Sequence, residues 1–184
     1  TNDLPINHNC ESIADVMNNN GYHTGYIGKW HLGGIPRNKP IEENQRLGFK
    51  EWKVYNCNHD YFNGYYYDEN NIRKYISGYE VIGQTDLAID FISRNKDKTW
   101  GLVLSFGPPH DPYDQAPQEY KDLYKDCDIK LRENVPQSVI DRKDRILDRN
   151  TIIEYTKGYY AHITAIDVQF GRLLRHLKNL NLFE

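Results

Sequence analysis

The sequence has few cysteines and no long apolar run, and both shortages exclude classes of site or protein. Its three cysteines are far apart and odd in number, and none forms the C-x-x-C spacing of zinc sites: Cys10, Cys57 and Cys127. We expect them to be structural thiols. No apolar run approaches the roughly 20 residues of a membrane span. No signal peptide opens the chain, and Thr1 in place of Met suggests a processed or excised segment.

The sequence also lacks an excess of charge of either sign. A formal net charge of -3 gives no reason to expect a nucleic acid or an anionic membrane as a partner. By contrast, 39% of the residues are hydrophobic and 13% aromatic, which is enough to form a core. The length of 184 residues suits one domain or a piece of a larger one. The fifteen tyrosines favour packing with polar tips and contact with carbohydrate.

The most informative stretch begins with a short helix and a strand. Residues 9–20 are predicted to be helical, with Asn9 or Ser12 as the N-cap, and Gly21 ends the helix because glycine readily adopts a left-handed conformation. Residues 24–27 are short, apolar and β-inclined, which indicates a buried strand. Gly28 is expected to end that strand.

A lysine and a histidine follow this strand. Lys29 and His31 are expected in a loop flanked by Gly33 and Gly34, and ligands of α/β sheets bind where loops leave the carboxyl ends of strands. Two cationic side chains held by glycine-rich backbone suit a tetrahedral anion. The alternative is a solvated Lys29 and a His31 that packs on the surface.

A second helix and strand complete the α/β pattern. Residues 79–95 are predicted to be helical, and residues 100–106 form a continuous apolar strand of the kind covered on both faces in a parallel sheet. The predicted fold class is therefore α/β, a partial doubly wound, mostly parallel sheet flanked by helices. His110 follows this strand between prolines that fix its direction, although a lone histidine is more often structural.

The remaining segments carry weaker signals. Residues 35–53 are predicted to be a loop, residues 56–67 a loop bordering a substrate cleft, and residues 68–74 a hairpin tip. His59 and Asp60 are candidate metal ligands without evident distant partners, so no metal site is predicted. Residues 117–124 are predicted as a short helix, residues 126–149 as surface loop with a short helix, and residues 151–179 as a long helix with an apolar stripe. Asp167 on the long helix is expected to be a capping or core-anchoring group.

Three segments resemble the type I sulfatases of the alkaline phosphatase superfamily. Residues 21–33 match the signature G-Y-x-T-x-x-I-G-K-W-H-L-G throughout, residues 107–113 are similar to a P-H-x-P motif after a strand, and residues 159–174 are similar to a third stretch. The resemblance implies that Lys29 and His31 contact the sulfate and a formylglycine nucleophile. It also implies that His110 reaches the sulfate and the leaving-group oxygen.

The resemblance covers residues 13–184 and lacks two parts of the family pattern. No cysteine precedes x-P-S-R, the sequence converted to formylglycine, and the aspartate and Asp-Asn pairs that hold calcium are also missing. We therefore expect residues 1–184 to be a single segment from the middle of a sulfatase catalytic domain. Ca²⁺ and formylglycine are implied for the full-length family member, with their ligands and nucleophile absent from this chain. The segment alone is expected to be inactive.

The function that the resemblance implies is hydrolysis of a sulfate ester, with a sulfated carbohydrate or another organic sulfate as substrate. Lys29 would hold sulfuryl oxygen charge, His31 would orient or deprotonate the nucleophile hydroxyl, and His110 would bind sulfate and protonate the departing oxygen. A phosphodiesterase or phosphonate hydrolase of the same superfamily, and a non-catalytic anion- or sugar-binding module, remain alternatives.

Compartment and assembly are less constrained by the sequence. The family is typically periplasmic, secreted or lysosomal, and the absence of an N-x-S/T sequon favours a bacterial source. A truncated sheet exposes an unpaired edge, so self-association of the chain is also expected.

Overall fold

A computed structural model describes residues 3–7, 9–135, 140–142 and 145–183. They form two compact units, which are described separately: residues 1–107 with 169–184, and residues 108–168. The helices and strands, in chain order, are α1 (Ile13–Asn19), β1 (His23–Lys29), β2 (Glu51–Tyr55), β3 (Tyr65–Tyr67), β4 (Arg73–Tyr75), α2 (Glu80–Asn95), β5 (Trp100–Ser105), α3 (Gln118–Asp122), β6 (Ile140–Arg142), β7 (Arg145–Leu147) and α4 (Arg149–Asn179). Of the described helices, none is both long and apolar enough to cross a membrane.

The first unit is built on a five-stranded sheet with the strand order β4-β3-β2-β1-β5. β1 lies between β2 and β5 and pairs in parallel with both, while β3 and β4 add an antiparallel hairpin at one edge. The predicted α/β class with a mostly parallel, helix-flanked sheet is confirmed.

Helices cover both faces of this sheet. On one face, Ile27 of β1 packs against Ala88, Phe91 and Ile92 of α2. On the other face, α1 lies over β5 because Gly101 leaves the space that Met17 fills. The pattern of a buried parallel strand between two helices is the one that the apolar runs of the sequence predicted.

α1 begins at Ile13, later than the predicted residue 9. Ser12 is the N-cap: its Oγ accepts a hydrogen bond from the backbone N–H of Asp15, and the Asp15 carboxylate accepts one from the backbone N–H of Ser12. Of the two predicted caps, Ser12 is therefore correct. Gly21 follows the helix with a φ of 82°, as its predicted role requires.

Two predictions about the sheet were wrong. Gly28 does not end β1: it has a φ of 108°, yet the strand stays paired with β2 through Lys29, which is therefore a strand residue. Residues 35–53 are not all loop, because they contain a 3-10 helix (Glu43–Gln45) and most of β2. The mixed charges of this segment hid the alternation of Trp52 and Val54, which are both buried.

The tyrosine-rich segment contributes to the core. Tyr61, Tyr65 and Tyr67 are buried, so their rings are not available to stack on a sugar. The predicted hairpin tip is confirmed, because Asp68 accepts hydrogen bonds from the backbone N–H groups of Asn70 and Ile72 in the turn between β3 and β4.

The second unit contains a 3-10 helix (Tyr113–Gln115), α3, the β6–β7 hairpin and α4 up to Val168. The predicted short helix at 117–124 is confirmed as α3. In residues 126–149, two strands stand where a short helix was predicted; residues 136–139 and 143–144 of that range lie outside the described residues.

α4 confirms the predicted long helix, but its apolar stripe, predicted to run from Tyr159 through Ile163 to Leu180, is buried only in part. Leu173 of the stripe is buried in the core cluster, and Leu177 and Leu180 pack against that cluster. The small or polar residues Ala161, His162 and Ala165 are buried, whereas Ile163 of the predicted stripe is 41% exposed. Asp167 is exposed, so it does not anchor the core as predicted. Small side chains let the helix approach its neighbours closely, and the closest face becomes the buried one.

Candidate active site

Lys29 lies at the carboxyl end of the central strand. It pairs in register with Tyr55 of β2, and the residue before it, Gly28, pairs with Ser105 of β5. A Cβ atom at Gly28 would collide with the Ser105 carbonyl group, so this glycine lets β5 lie directly beside the lysine. Lys29 is half-buried. The fold thus places a lysine at the carboxyl ends of the parallel strands, where α/β proteins bind ligands.

The loop after Lys29 is fixed by backbone hydrogen bonds to the segment after β2. The N–H of Trp30 donates to the carbonyl of Tyr55 at 2.9 Å, and the N–H of His31 donates to the carbonyl of Asn56 at 2.7 Å. The Asn56 side chain, which is buried, accepts from the N–H of Gly33 at 3.1 Å and donates to the carbonyl of Gly34 at 2.9 Å. The loop therefore has one defined path.

Trp30 and His31 of this loop have different surroundings. Trp30 is buried among aromatic rings and lies 5.0 Å from Trp52 between ring centroids. His31 has a φ of 54°, which turns the chain, and its Nε2 atom is shielded from solvent. Trp30 thus anchors the loop in the core while His31 stays close to Lys29 in the chain and on the same strand end.

The sequence did not reveal a buried carboxyl group beside Lys29. Glu80, in the first turn of α2, is fully buried, and its Oε1 accepts a hydrogen bond of 3.0 Å from the hydroxyl of Tyr55. Burial raises the pKa of Glu80 to about 7, although Tyr55, the backbone N–H of Gly107 and the charge of Lys29 each favour the ionised form. Burial, with Glu80 as the next cause, also raises the pKa of Tyr55 well above its usual value.

Glu80 was missed because an acidic residue in the first turn of a helix has an ordinary explanation, its interaction with the helix dipole. The available signal was the position of this acid next to Val81 and Ile82, at the buried end of an apolar helix face.

His110 lies in the second unit. Its Nδ1 is 2.7 Å from the Asp111 carboxylate and 2.9 Å from the Asp111 carbonyl oxygen. Both partners accept, so Nδ1 carries the proton. The side chain is 50% exposed.

His162 of α4 forms a hydrogen bond to the loop that carries His110. The ring of His162 is fully buried, and its Nε2 is 3.3 Å from the carbonyl oxygen of Pro112. Because a carbonyl oxygen only accepts, His162 carries a proton on Nε2. Burial lowers the pKa of His162, so the ring is neutral at pH 7.

The three predicted site residues therefore fall in two groups. Lys29 and His31 lie together at the carboxyl end of β1, and His110 lies in the other unit. Asp60, considered as a metal ligand, accepts hydrogen bonds from the backbone N–H groups of Phe62 and Asn63 in its own turn.

The residues at this site do not fit the two groups that the family implies. Calcium takes oxygen ligands, whereas Lys29 and His31 offer nitrogen atoms and the adjacent carboxyl of Glu80 has a pKa of about 7. The three cysteines are free thiols, and none is followed by the sequence that formylglycine formation requires.

Comparison with known proteins finds sulfatases both among related sequences and among similar structures. The sequence profile of the sulfatase family matches residues 3–184. The chain is 36% identical to an ulvan-active sulfatase of Formosa agariphila over 98% of its length and 34% of the relative's. It is 30% identical to an N-acetylglucosamine-6-O-sulfatase of Bacteroides thetaiotaomicron over 61% of its length and 19% of the relative's.

A solved structure from Bacteroides fragilis, named as the sulfatase yidJ, is similar with a TM-score of 0.84 and 28% identity, over 97% of this chain and 42% of the other. The chain thus spans about a third of the first relative and less than half of the solved chain. The match over nearly the whole chain confirms the resemblance that the signature predicted. The chain belongs to the sulfatase family.

Proposed function

We propose that the whole protein hydrolyses sulfate esters and that this segment supplies the cationic wall of its active site. The observation that carries the proposal is the Lys29-Trp30-His31 stretch, which matches the family signature and lies at the carboxyl end of a parallel strand. Its rigid backbone supports the proposal, because charge stabilisation is most effective when the donors are fixed before the substrate arrives.

We assign the roles as follows. Lys29 binds a sulfuryl oxygen and neutralises its charge. His31 orients the hydroxyl of the attacking group and accepts its proton. His110, with Nδ1 held by Asp111, presents Nε2 to the sulfate and protonates the departing alcohol oxygen.

The remaining parts of the proposal concern the whole protein. Residues of the whole protein other than those of this site would hold calcium and supply the formylglycine, and residues 1–184 are the middle of one catalytic domain. The substrate is a sulfated carbohydrate. The names of two relatives, an ulvan-active sulfatase and an N-acetylglucosamine-6-O-sulfatase, support this class. Tyr61, Tyr65 and Tyr67 of the tyrosine-rich segment do not, because their rings are buried.

The test is sulfate release from sulfated saccharides by the whole protein and by three variants. Lys29→Ala and His110→Ala should each reduce kcat/KM by roughly 100-fold or more, the usual cost of removing a charge-stabilising donor or a general acid. Lys39→Ala, which removes an exposed lysine of the first unit, should leave it unchanged.

Two outcomes would contradict the proposal. Full activity in Lys29→Ala or His110→Ala would remove the assigned roles. Faster hydrolysis of phosphate diesters than of sulfate esters by the unmodified protein would favour the phosphoryl-transfer relatives instead.

A further inference from the structure

Two buried polar side chains, Tyr55 and Glu80, lie near the carboxyl end of β1. Lys29 and Tyr55 are partners in a parallel register, so their side chains project from the same face of the sheet. That face is the one covered by α2, whose first turn carries Glu80. The hydrogen bond of 3.0 Å from the Tyr55 hydroxyl to Glu80 therefore lies on the same face of the sheet as the side chain of Lys29.

The carboxyl of Glu80 fits into a space that the surrounding backbone leaves for it. Two glycines leave its space open: a Cβ atom at Gly64 would meet the Glu80 side chain, and one at Gly107 would meet its Oε1. Glu80 and Tyr55 are both almost fully buried, at 0% and 1% exposure. A carboxyl group in such a place is costly unless it has a specific partner, and an apolar residue would have filled the same space.

The groups that face this carboxyl come from four elements. They are Lys29 on β1, Tyr55 on β2, the backbone N–H of Gly107 after β5 and Gln84 one turn later on α2; Tyr61 lies close to Tyr55. Of these, Lys29 is the formally charged group at pH 7, and it favours the ionised form of Glu80.

We propose that Glu80 is a positioning residue for Lys29, and that its protonation state decides how much of the lysine's charge is available to a bound anion. The proposal rests on the proposed function, in which Lys29 binds sulfate. When Glu80 is neutral, the ammonium group of Lys29 interacts with the sulfate alone. When Glu80 is ionised, its negative charge attracts Lys29 and repels the sulfate, so the anion binds less tightly.

The coupling is reciprocal, since any effect of Glu80 ionisation on sulfate affinity equals the effect of sulfate on Glu80 ionisation. Neutral Glu80 is the form that the bound state favours. Burial, by raising its pKa into the neutral range, keeps this form populated in mildly acidic solution.

The experiment measures binding of inorganic sulfate to the whole protein by titration calorimetry, between about pH 5.5 and about pH 8.5 at constant ionic strength. Glu80→Gln keeps the shape and the acceptor of the side chain but cannot ionise. Its affinity should equal that of the unmodified protein at low pH and exceed it by about tenfold at high pH, which is the effect of a coupling of one pKa unit. Glu43→Gln, which changes an exposed glutamate of the same unit, should follow the unmodified protein throughout.

A second variant has an effect that a purely structural role does not predict. Tyr55→Phe removes a donor that stabilises ionised Glu80, so the pH at which sulfate affinity falls should move upward. His31 and His110 are present in every variant, so the comparison between variants isolates Glu80.

The outcomes separate this inference from the function on which it rests. If sulfate binds but the affinity of Glu80→Gln has the same pH dependence as that of the unmodified protein, Glu80 is only structural and the inference is wrong while the proposed function stands. A downward shift in Tyr55→Phe would overturn it as well. Failure of the unmodified protein to bind sulfate at any pH would overturn both.

Discussion

The buried carboxyl of Glu80 should make the stability of the protein depend on pH in a defined direction. Its pKa is about 7 in the folded protein and 4.5 for the unperturbed group. The folded state therefore binds more protons between these values, and the free energy of unfolding falls as the pH rises through this window. Below about pH 4.5 the loss is absent, and above about pH 7 it is complete.

The size of the effect follows from the same two values. A difference of about 2.5 pKa units corresponds to about 3 kcal/mol at roughly 1.4 kcal/mol per unit, and most of it develops between about pH 4.5 and about pH 7. Such a loss is a large part of the stability of a typical domain. Glu80→Gln removes the titration, because the amide is neutral throughout and its oxygen still accepts the Tyr55 hydrogen bond.

Urea unfolding at several pH values tests this prediction. The free energy of unfolding of Glu80→Gln, minus that of the unmodified protein, should increase by about 2 to 3 kcal/mol from about pH 5 to about pH 8.5. Glu43→Gln should give a difference that does not change with pH. A constant difference for Glu80→Gln would show that the carboxyl is not titrating in this range, and the assigned effect of burial would be refuted.

Two further predictions concern the rest of the first unit. Ser12→Ala should destabilise the protein by about 1 kcal/mol in urea unfolding, because it removes the side-chain cap of α1; Ser12→Asn, which can also cap, should recover most of the loss, and equal losses in both would argue against capping. Isolated residues 1–184 should self-associate through β5, which pairs with β1 alone among the described strands and exposes Val103. Sedimentation equilibrium should show a mass that rises with concentration and that falls to the monomer value in Val103→Lys; a monomer at all concentrations before substitution would contradict this.

The parts of the fold that the sequence predicted are those with strong local signals. The apolar face of α2, the continuous apolar run of β5 and the cap and glycine of α1 are properties of short stretches, and all were found close to the expected residues. β2 was missed because its polar positions look like loop. In the fold, Glu51 at the start of β2 accepts hydrogen bonds from Arg94 and Asn95 of α2, so its charge is satisfied inside the structure.

The candidate site divides in the same way. Lys29, His31 and His110 were found because a signature and a motif mark them, and their roles remain predictions. Glu80 could not be found from its neighbours in sequence: its burial depends on Tyr55, Gly64 and Gly107, which lie 16 to 27 positions away and meet it only after the sheet has formed.

Gly28 has a consequence for how mutational data on this protein are interpreted. A side chain of any size at this position would push β5 away from β1 at the residue next to Lys29. In a saturation screen for activity, Gly28 would therefore tolerate as few replacements as a residue that touches substrate, although it has no reactive atom. Ranking positions by intolerance to substitution alone would count Gly28 among the catalytic residues. A parallel screen for folding would distinguish it from them, because replacements of Gly28 impair folding as well as activity.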